Sequence, residues 1–113
     1  MKEDPLQFYM RIQVYRRERD FGPGVSTLMR LVREQGSLSA ACKEMHMAYS
    51  KAWKIINKAE EDLGFALMEG TRGGERGGRT VLTPEGEEFL DRYMRFEAEA
   101  KEAVSEVFQR YFS

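Results

Sequence analysis

The sequence predicts a mainly α-helical fold with a small β component, on three observations. Apolar residues recur at helical spacing in four successive stretches. Two short apolar segments flank Gly73, Gly74, Gly77 and Gly78, as in a hairpin with a flexible tip. Glycine and proline punctuate the chain at Gly22-Pro23-Gly24, Gly36, Gly64 and Pro84, where those stretches begin or end.

Each element has its own signal. From Leu6 to Tyr15 the chain partly alternates, with Phe8, Met10, Ile12 and Val14 on one side and Tyr9, Arg11, Gln13 and Tyr15 on the other, which predicts an N-terminal strand. Val25, Leu28, Met29, Leu31 and Val32 predict a first helix over Val25 to Gln35. Ser37 is a good N-cap for a second, Leu38 to Met45, with Ala41, Cys42 and Met45 on its apolar stripe. After His46 and Met47, the residues Ala52, Ile55, Ile56, Ala59 and Leu63 share one face of a third helix, Ala48 to Leu63, which Gly64 ends. Phe65 to Glu69 and Thr80 to Thr83 are the two strands of a β-wing. Thr83 caps a long final helix, Pro84 fits its first position, and Glu85, Glu87 and Glu88 complement the positive end of its dipole. The order is that of a winged helix-turn-helix with an N-terminal strand and a long C-terminal dimerisation helix.

That last helix carries the dimer expectation. Phe89, Tyr93, Phe96, Ala100, Ala103 and Val107 form a seam stepping by 4, 3, 4, 3 and 4 residues, with Leu90, Val104, Phe108 and Tyr111 widening it. A helix of this length reaches roughly 42 Å, more than so small a domain can cover. A partner helix, most simply that of a second copy, is expected on it. The chain thus divides into residues 1–83, a winged helix-turn-helix, and residues 84–113, a dimerisation helix, as one structural unit.

Composition narrows the function classes. The chain has 113 residues, 42% of them hydrophobic, and a net charge of −1, so overall charge does not announce a nucleic-acid binder. Residues 84–113 hold four basic and eight acidic groups, whereas Tyr49 to Ala59 holds Lys51, Lys54 and Lys58 with no acid. The single cysteine, Cys42, excludes an internal disulfide and a cysteine-based zinc cluster, and the single histidine, His46, leaves few metal ligands. No apolar run is long enough to span a membrane and no signal peptide is evident, so a cytoplasmic location is expected.

The third helix carries the functional constellation. At about 100° per residue, Ile56, Ala59 and Leu63 fall within about 40° of Ala52, and Ser50, Lys54, Asn57 and Glu61 fall opposite. Lysine suits phosphate or guanine edges, asparagine suits adenine, and serine does either less selectively. The N-terminal part of the helix is therefore expected to enter a DNA major groove, with Ser50, Lys51, Lys54, Asn57, Lys58 and Tyr49 as contact residues. Glu60, Glu61 and Asp62 crowd its last turn, where they would repel phosphate. Tyr49 and Trp53 lie on the shoulders, placed to seal the core edge or to lean on the DNA backbone. In the wing, Arg72, Arg76 and Arg79 supply charge for phosphate or a narrow minor groove.

Other chemistries find little support. Gly73 to Gly78 is neither a Walker loop nor a loop that opens a helix, so nucleotide binding is not expected. Cys42 and His46 lack further ligands, and the carboxylates show no spacing that implies a shared pocket, so neither a metal site nor an enzyme is expected. No cofactor is implied and nothing specifies a small-molecule effector. The competing reading is a winged-helix protein-interaction module whose acidic long helix recruits a partner.

Gly36-Ser37-Leu38-Ser39-Ala40-Ala41, Met47-Ala48-Tyr49-Ser50-Lys51-Ala52-Trp53, Leu63-Gly64, Gly73-Gly74, Gly77-Gly78 and Leu82-Thr83-Pro84-Glu85-Gly86 together resemble the N-terminal DNA-binding domain of the molybdate-responsive ModE family, and more distantly LysR-type domains. The resemblance covers about Phe21 to Tyr93. It implies a homodimer paired through the long helix, with the helix from Ala48 in the major groove of double-stranded DNA and the wing beside it. His46 stands where the family usually has a turn glycine, and Ala48 where it usually has a capping serine. The family's oxyanion-binding modules follow the long helix, and this sequence stops at Ser113, so molybdate binding is not expected.

Overall fold

The computed structural model describes residues 4–70 and 79–113. Its elements run α1 (Pro23–Gln35), α2 (Leu38–Met45), α3 (Tyr49–Leu63), β1 (Met68–Gly70), β2 (Thr80–Leu82) and α4 (Pro84–Phe112). The fold is mainly helical, with one antiparallel two-stranded sheet as the wing and a long final helix.

The helix boundaries follow from local chemistry. Proline at the first turn of α1 has its φ preset and loses no helical hydrogen bond, so this helix starts two residues earlier than its apolar pattern suggests. Gly36 closes α1 in the left-handed region, φ 69°, and donates its N–H to the Val32 carbonyl at 2.7 Å. Ser37 then caps α2 by accepting from the Ala40 N–H at 3.0 Å. His46 turns the chain at φ 55°, a conformation that histidine tolerates better than most side chains. Helix α3 starts at Tyr49, since Ala48 is in extended conformation as its N-cap, without a side-chain capping bond.

The three helices bury one continuous core. Val25, Leu28, Met29 and Val32 of α1 meet Leu38, Ala41 and Cys42 of α2 and Ala52, Ile56, Ala59 and Leu63 of α3. Leu67, Met68 and Leu82 of the wing, with Leu90 and Tyr93 of α4, complete it. Burying those side chains is the main driving force of the fold.

The wing is fastened at both ends. Its register pairs Met68 with Leu82, Glu69 with Val81 and Gly70 with Thr80. The Thr80 N–H donates to the Gly36 carbonyl at 3.1 Å, and the buried Thr80 hydroxyl accepts from the Leu38 N–H at 3.3 Å. The first strand is shifted relative to the predicted Phe65 to Glu69, because Ala66 and Leu67 bond elsewhere. The Leu67 N–H donates to the Glu60 carboxylate at 2.7 Å, and the Ala66 and Leu67 carbonyls accept from the Thr83 hydroxyl and N–H at 2.6 and 3.0 Å.

The predicted N-terminal strand is not formed within the chain. Residues 4–13 run without helix, turn or bend, and only Val14 makes a β-bridge, to Phe21. The alternation is reflected in part as one-sided packing: Phe8, Met10, Ile12 and Val14 are half-buried and Tyr9, Arg11 and Tyr15 are exposed, but Gln13 is half-buried too. The segment lies as an arm against α4, where Phe8 meets Phe108 with ring centroids 5.1 Å apart and the Tyr93 hydroxyl donates to the Ile12 carbonyl at 2.8 Å. Burial, then the nearby Glu97 carboxylate, pushes the Tyr93 phenol up to about 12, so it remains a donor across the physiological range.

Helix α4 is used unevenly. Phe89 and Tyr93 pack edge-on against Phe21 at 4.8 and 5.1 Å, and Arg33 of α1 bonds Glu87 and Asp91 at 3.1 and 3.0 Å. Beyond this docked part Phe96 is 52% exposed, Ala103 and Val107 are exposed and Ala100 is half-buried.

At the start of α4 two stretches of backbone pass close together. Thr83 caps it by accepting from the Gly86 N–H at 2.8 Å, and a Cβ at Gly86 would overlap the Leu67 carbonyl oxygen. That obstacle is backbone and has no rotamer to change. Gly86→Ala is expected to lose about 1–3 kcal/mol of stability, read as a lower urea midpoint with an unchanged slope, whereas Gly24→Ala, which meets no neighbour, shifts it far less.

Candidate nucleic-acid interface

Helix α3 is held by one face and free on the other. Ala52, Ile56, Ala59 and Leu63 are fully inside, while Ser50, Lys51, Lys54, Asn57 and Lys58 are all exposed. Ser50, Lys51, Lys54, Ile55 and Lys58 line one open hollow of about 530 Å³. The lysines recur at spacings of three and four, so their charges lie on a single stripe. The first turn holds no acid, and its unpaired N–H groups add positive potential at the same end.

The shoulder residues divide. Trp53 is half-buried against the core, and Tyr49, 46% exposed, stands edge-on to it with ring centroids 6.5 Å apart. Trp53 seals the core edge, and Tyr49 presents an aromatic ring and a hydroxyl at the first turn of the exposed face.

Of the wing arginines, Arg79 is exposed, and its guanidinium lies beside Gly36 at the junction of α1 and α2. Arg72 and Arg76 lie outside the described residues. Cys42 is buried and its thiol is pushed up by that burial, which keeps it protonated and unreactive. Among the described residues no three His, Cys, Asp or Glu side chains gather as a metal site.

Two acids of the last α3 turn serve a purpose the sequence reading missed. The Asp62 carboxylate accepts the backbone N–H groups of Arg16, Arg17 and Glu18 at 2.7, 2.8 and 3.0 Å. Arg16 answers by donating its Nε–H to the Leu63 carbonyl at 3.1 Å, satisfying an orphan acceptor at the helix end. Glu60 fastens the start of the wing in the same way. A carboxylate in a last turn opposes the helix dipole. That conflict was the available signal that Glu60 and Asp62 bind something outside their own helix.

The profile of a family described as bacterial regulatory helix-turn-helix protein, lysR family, matches residues 27–87, which contain most of α1, all of α2 and α3, and both wing strands. The chain belongs to the LysR family of bacterial regulatory helix-turn-helix proteins. It is 32% identical over 78 residues to the molybdenum-pterin-binding protein MopB of Rhodobacter capsulatus, covering 69% of this chain and 29% of that protein. It is 28% identical over 83 residues to the molybdenum transport protein ModE of Azotobacter vinelandii, covering 74% and 31%. The chain therefore spans about a third or less of these curated relatives. The crystal structure of BenM_DBD in complex with benA site 1 DNA superposes with a TM-score of 0.56 at 25% identity, covering 76% of this chain and 94% of that one. Within the LysR family this fold is the DNA-binding unit of a transcription regulator, a non-enzymatic role.

Asp62 gives the head a defined acid sensitivity. Hydrogen bonds from the Arg16, Glu18 and Arg17 N–H groups hold its carboxyl below the ordinary carboxylate value. A depressed folded-state value contributes stability above the unfolded value, lost as pH falls through the folded one. Asp62→Ala is therefore expected to lower the unfolding midpoint at pH 7, and the gap from the unaltered chain should narrow progressively below about pH 4.

Proposed function

We propose that the chain acts as a homodimeric transcriptional regulator on a two-fold symmetric DNA site, with α3 in the major groove. The observation that carries this reading is the exposed α3 face, where Ser50, Lys51, Lys54, Asn57 and Lys58 stand on a helix anchored by its opposite side, with no acid in its first turn. Two such helices, set about 34 Å apart by a dimer, would reach successive major grooves.

The roles divide by chemistry. Lys51, Lys54 and Lys58 offer charge to phosphates or guanine edges, while Asn57 and Ser50 offer paired donors and acceptors to base edges. Tyr49 lies at the groove margin. Arg79 carries the wing to the flanking backbone, and Arg72 and Arg76 of the wing are assigned the same task.

Residues 84–113 are the dimerisation part and residues 1–83 the reading part. The seam of Phe89, Tyr93, Phe96, Ala100, Ala103 and Val107 is proposed to pair from Phe96 onwards, since Phe89 and Tyr93 are already committed to Phe21. The acidic charge of α4 keeps that end away from the duplex. As a DNA-binding regulator the protein is proposed to act in the cytoplasm. The relation to MopB and ModE supports a kinship with molybdenum-related proteins.

Titration of fluorescent duplexes under varied salt tests the assignment. Lys54→Ala is expected to weaken binding to all sequences and to lower the salt slope by about one unit. Asn57→Ala is expected to cost about 1–3 kcal/mol on the preferred site only, with relaxed choice at one base pair. Salt-insensitive affinity, or binding untouched by both substitutions, contradicts the reading.

A further inference from the structure

We propose that the N-terminal arm is the second half of the dimer interface, pairing antiparallel with the arm of a second copy and adding a two-stranded ribbon to the α4 seam. The proposal rests on the homodimer reading and specifies what that dimer contains beyond helix pairing.

The arm is a strand in every respect but a partner. Residues 4–13 carry no turn or bend, and side chains alternate between half-buried and exposed from Phe8 to Ile12. In an extended chain the backbone groups of alternate residues point to opposite edges. The even edge is engaged at its C-terminal end, where the Ile12 carbonyl accepts from Tyr93 and the Val14 N–H donates to Phe21. Among the described residues no backbone partner is found for Gln7, Tyr9, Arg11 or Gln13, whose groups share the odd edge. Such an edge is a template for strand addition.

The arm's own sequence selects one register. Pairing about Met10 sets Phe8 opposite Ile12 and Leu6 opposite Val14 on the α4 side. On the outer face Tyr9 stands opposite Arg11, a ring against a guanidinium, and Gln7 opposite Gln13. A slip of two residues one way puts Arg11 opposite Arg11, and a slip the other way puts Asp4 opposite Val14. Like charges or a buried acid penalise both.

The ribbon and the helix seam also share a centre. Met10 lines one hollow with Glu97, Ala98 and Lys101 of α4, near the middle of the Phe96 to Val107 part of the seam. One two-fold axis through Met10 would serve both, with the two α4 helices side by side beneath the ribbon.

Disulfide trapping of the full chain reads the register, because the buried Cys42 gives no cross-link of its own. In this register the two Met10 residues form a non-hydrogen-bonded pair, with Cα atoms about 4.5 Å apart, within disulfide reach. Met10→Cys is expected to cross-link as a dimer on mild oxidation. Phe8→Cys and Ile12→Cys should each fail alone, their copies lying about 13 Å apart, yet cross-link when the two variants are mixed. Arg11→Pro, which removes one N–H from the free edge, should weaken dimerisation about tenfold in light scattering while circular dichroism is unchanged. A dimer that shows none of these cross-links and ignores Arg11→Pro overturns the arm pairing but leaves the homodimer standing. A chain that is monomeric throughout overturns both.

Discussion

The junction at Thr83 and Gly86 is the constraint on which the rest of the architecture depends. There the first turn of α4 is pressed under the Leu67 carbonyl, while Thr83 ties itself to Ala66, Leu67 and Gly86 in one small volume. Glu60 reaches from α3 to the Leu67 and Met68 N–H groups on the other side of the same segment. Three elements are thereby fixed to one another by a close backbone approach and by two side chains, Thr83 and Glu60, that bond backbone groups. The wing leaves at a set angle to α3, and α4 leaves at a set angle to both.

That rigidity is what a reading helix needs. A base-edge contact discriminates only if the helix bearing it is held to a fraction of an ångström. Here α3 is buried along one side, tethered through Asp62 to the Arg16–Glu18 turn and through Glu60 to the wing. Its acids are thus drawn to the C-terminal end as fasteners, and its lysines are left on the open N-terminal two-thirds. One division of charge along a single helix serves both anchoring and the proposed DNA contact.

The helical plan was legible because burial in this fold is periodic and its ends are marked. Ser37, Gly36, Gly64, Thr83 and Pro84 all sit where their capping chemistry predicts. The exposed α3 face was legible for the same reason, since a wheel centred on Ala52 separates core from solvent. The arm was misread as a strand because alternation reports one-sided burial and cannot say whether the backbone has a partner. The fastening roles of Asp62, Glu60 and Thr80 were hidden because they depend on residues up to 46 positions away. The seam was read as uniform, although Phe21, remote in sequence, takes Phe89 and Tyr93 for the head's own core.

The central claim is that the free face of α3 meets DNA and the acidic α4 does not. Amide chemical-shift mapping of the isotope-labelled chain, titrated with a short duplex at low salt, tests it residue by residue. The account predicts the largest shifts at Tyr49 to Lys58 and at Arg79, with Ala98 to Gln109 unmoved. Shifts concentrated in α4, with α3 silent, would contradict it.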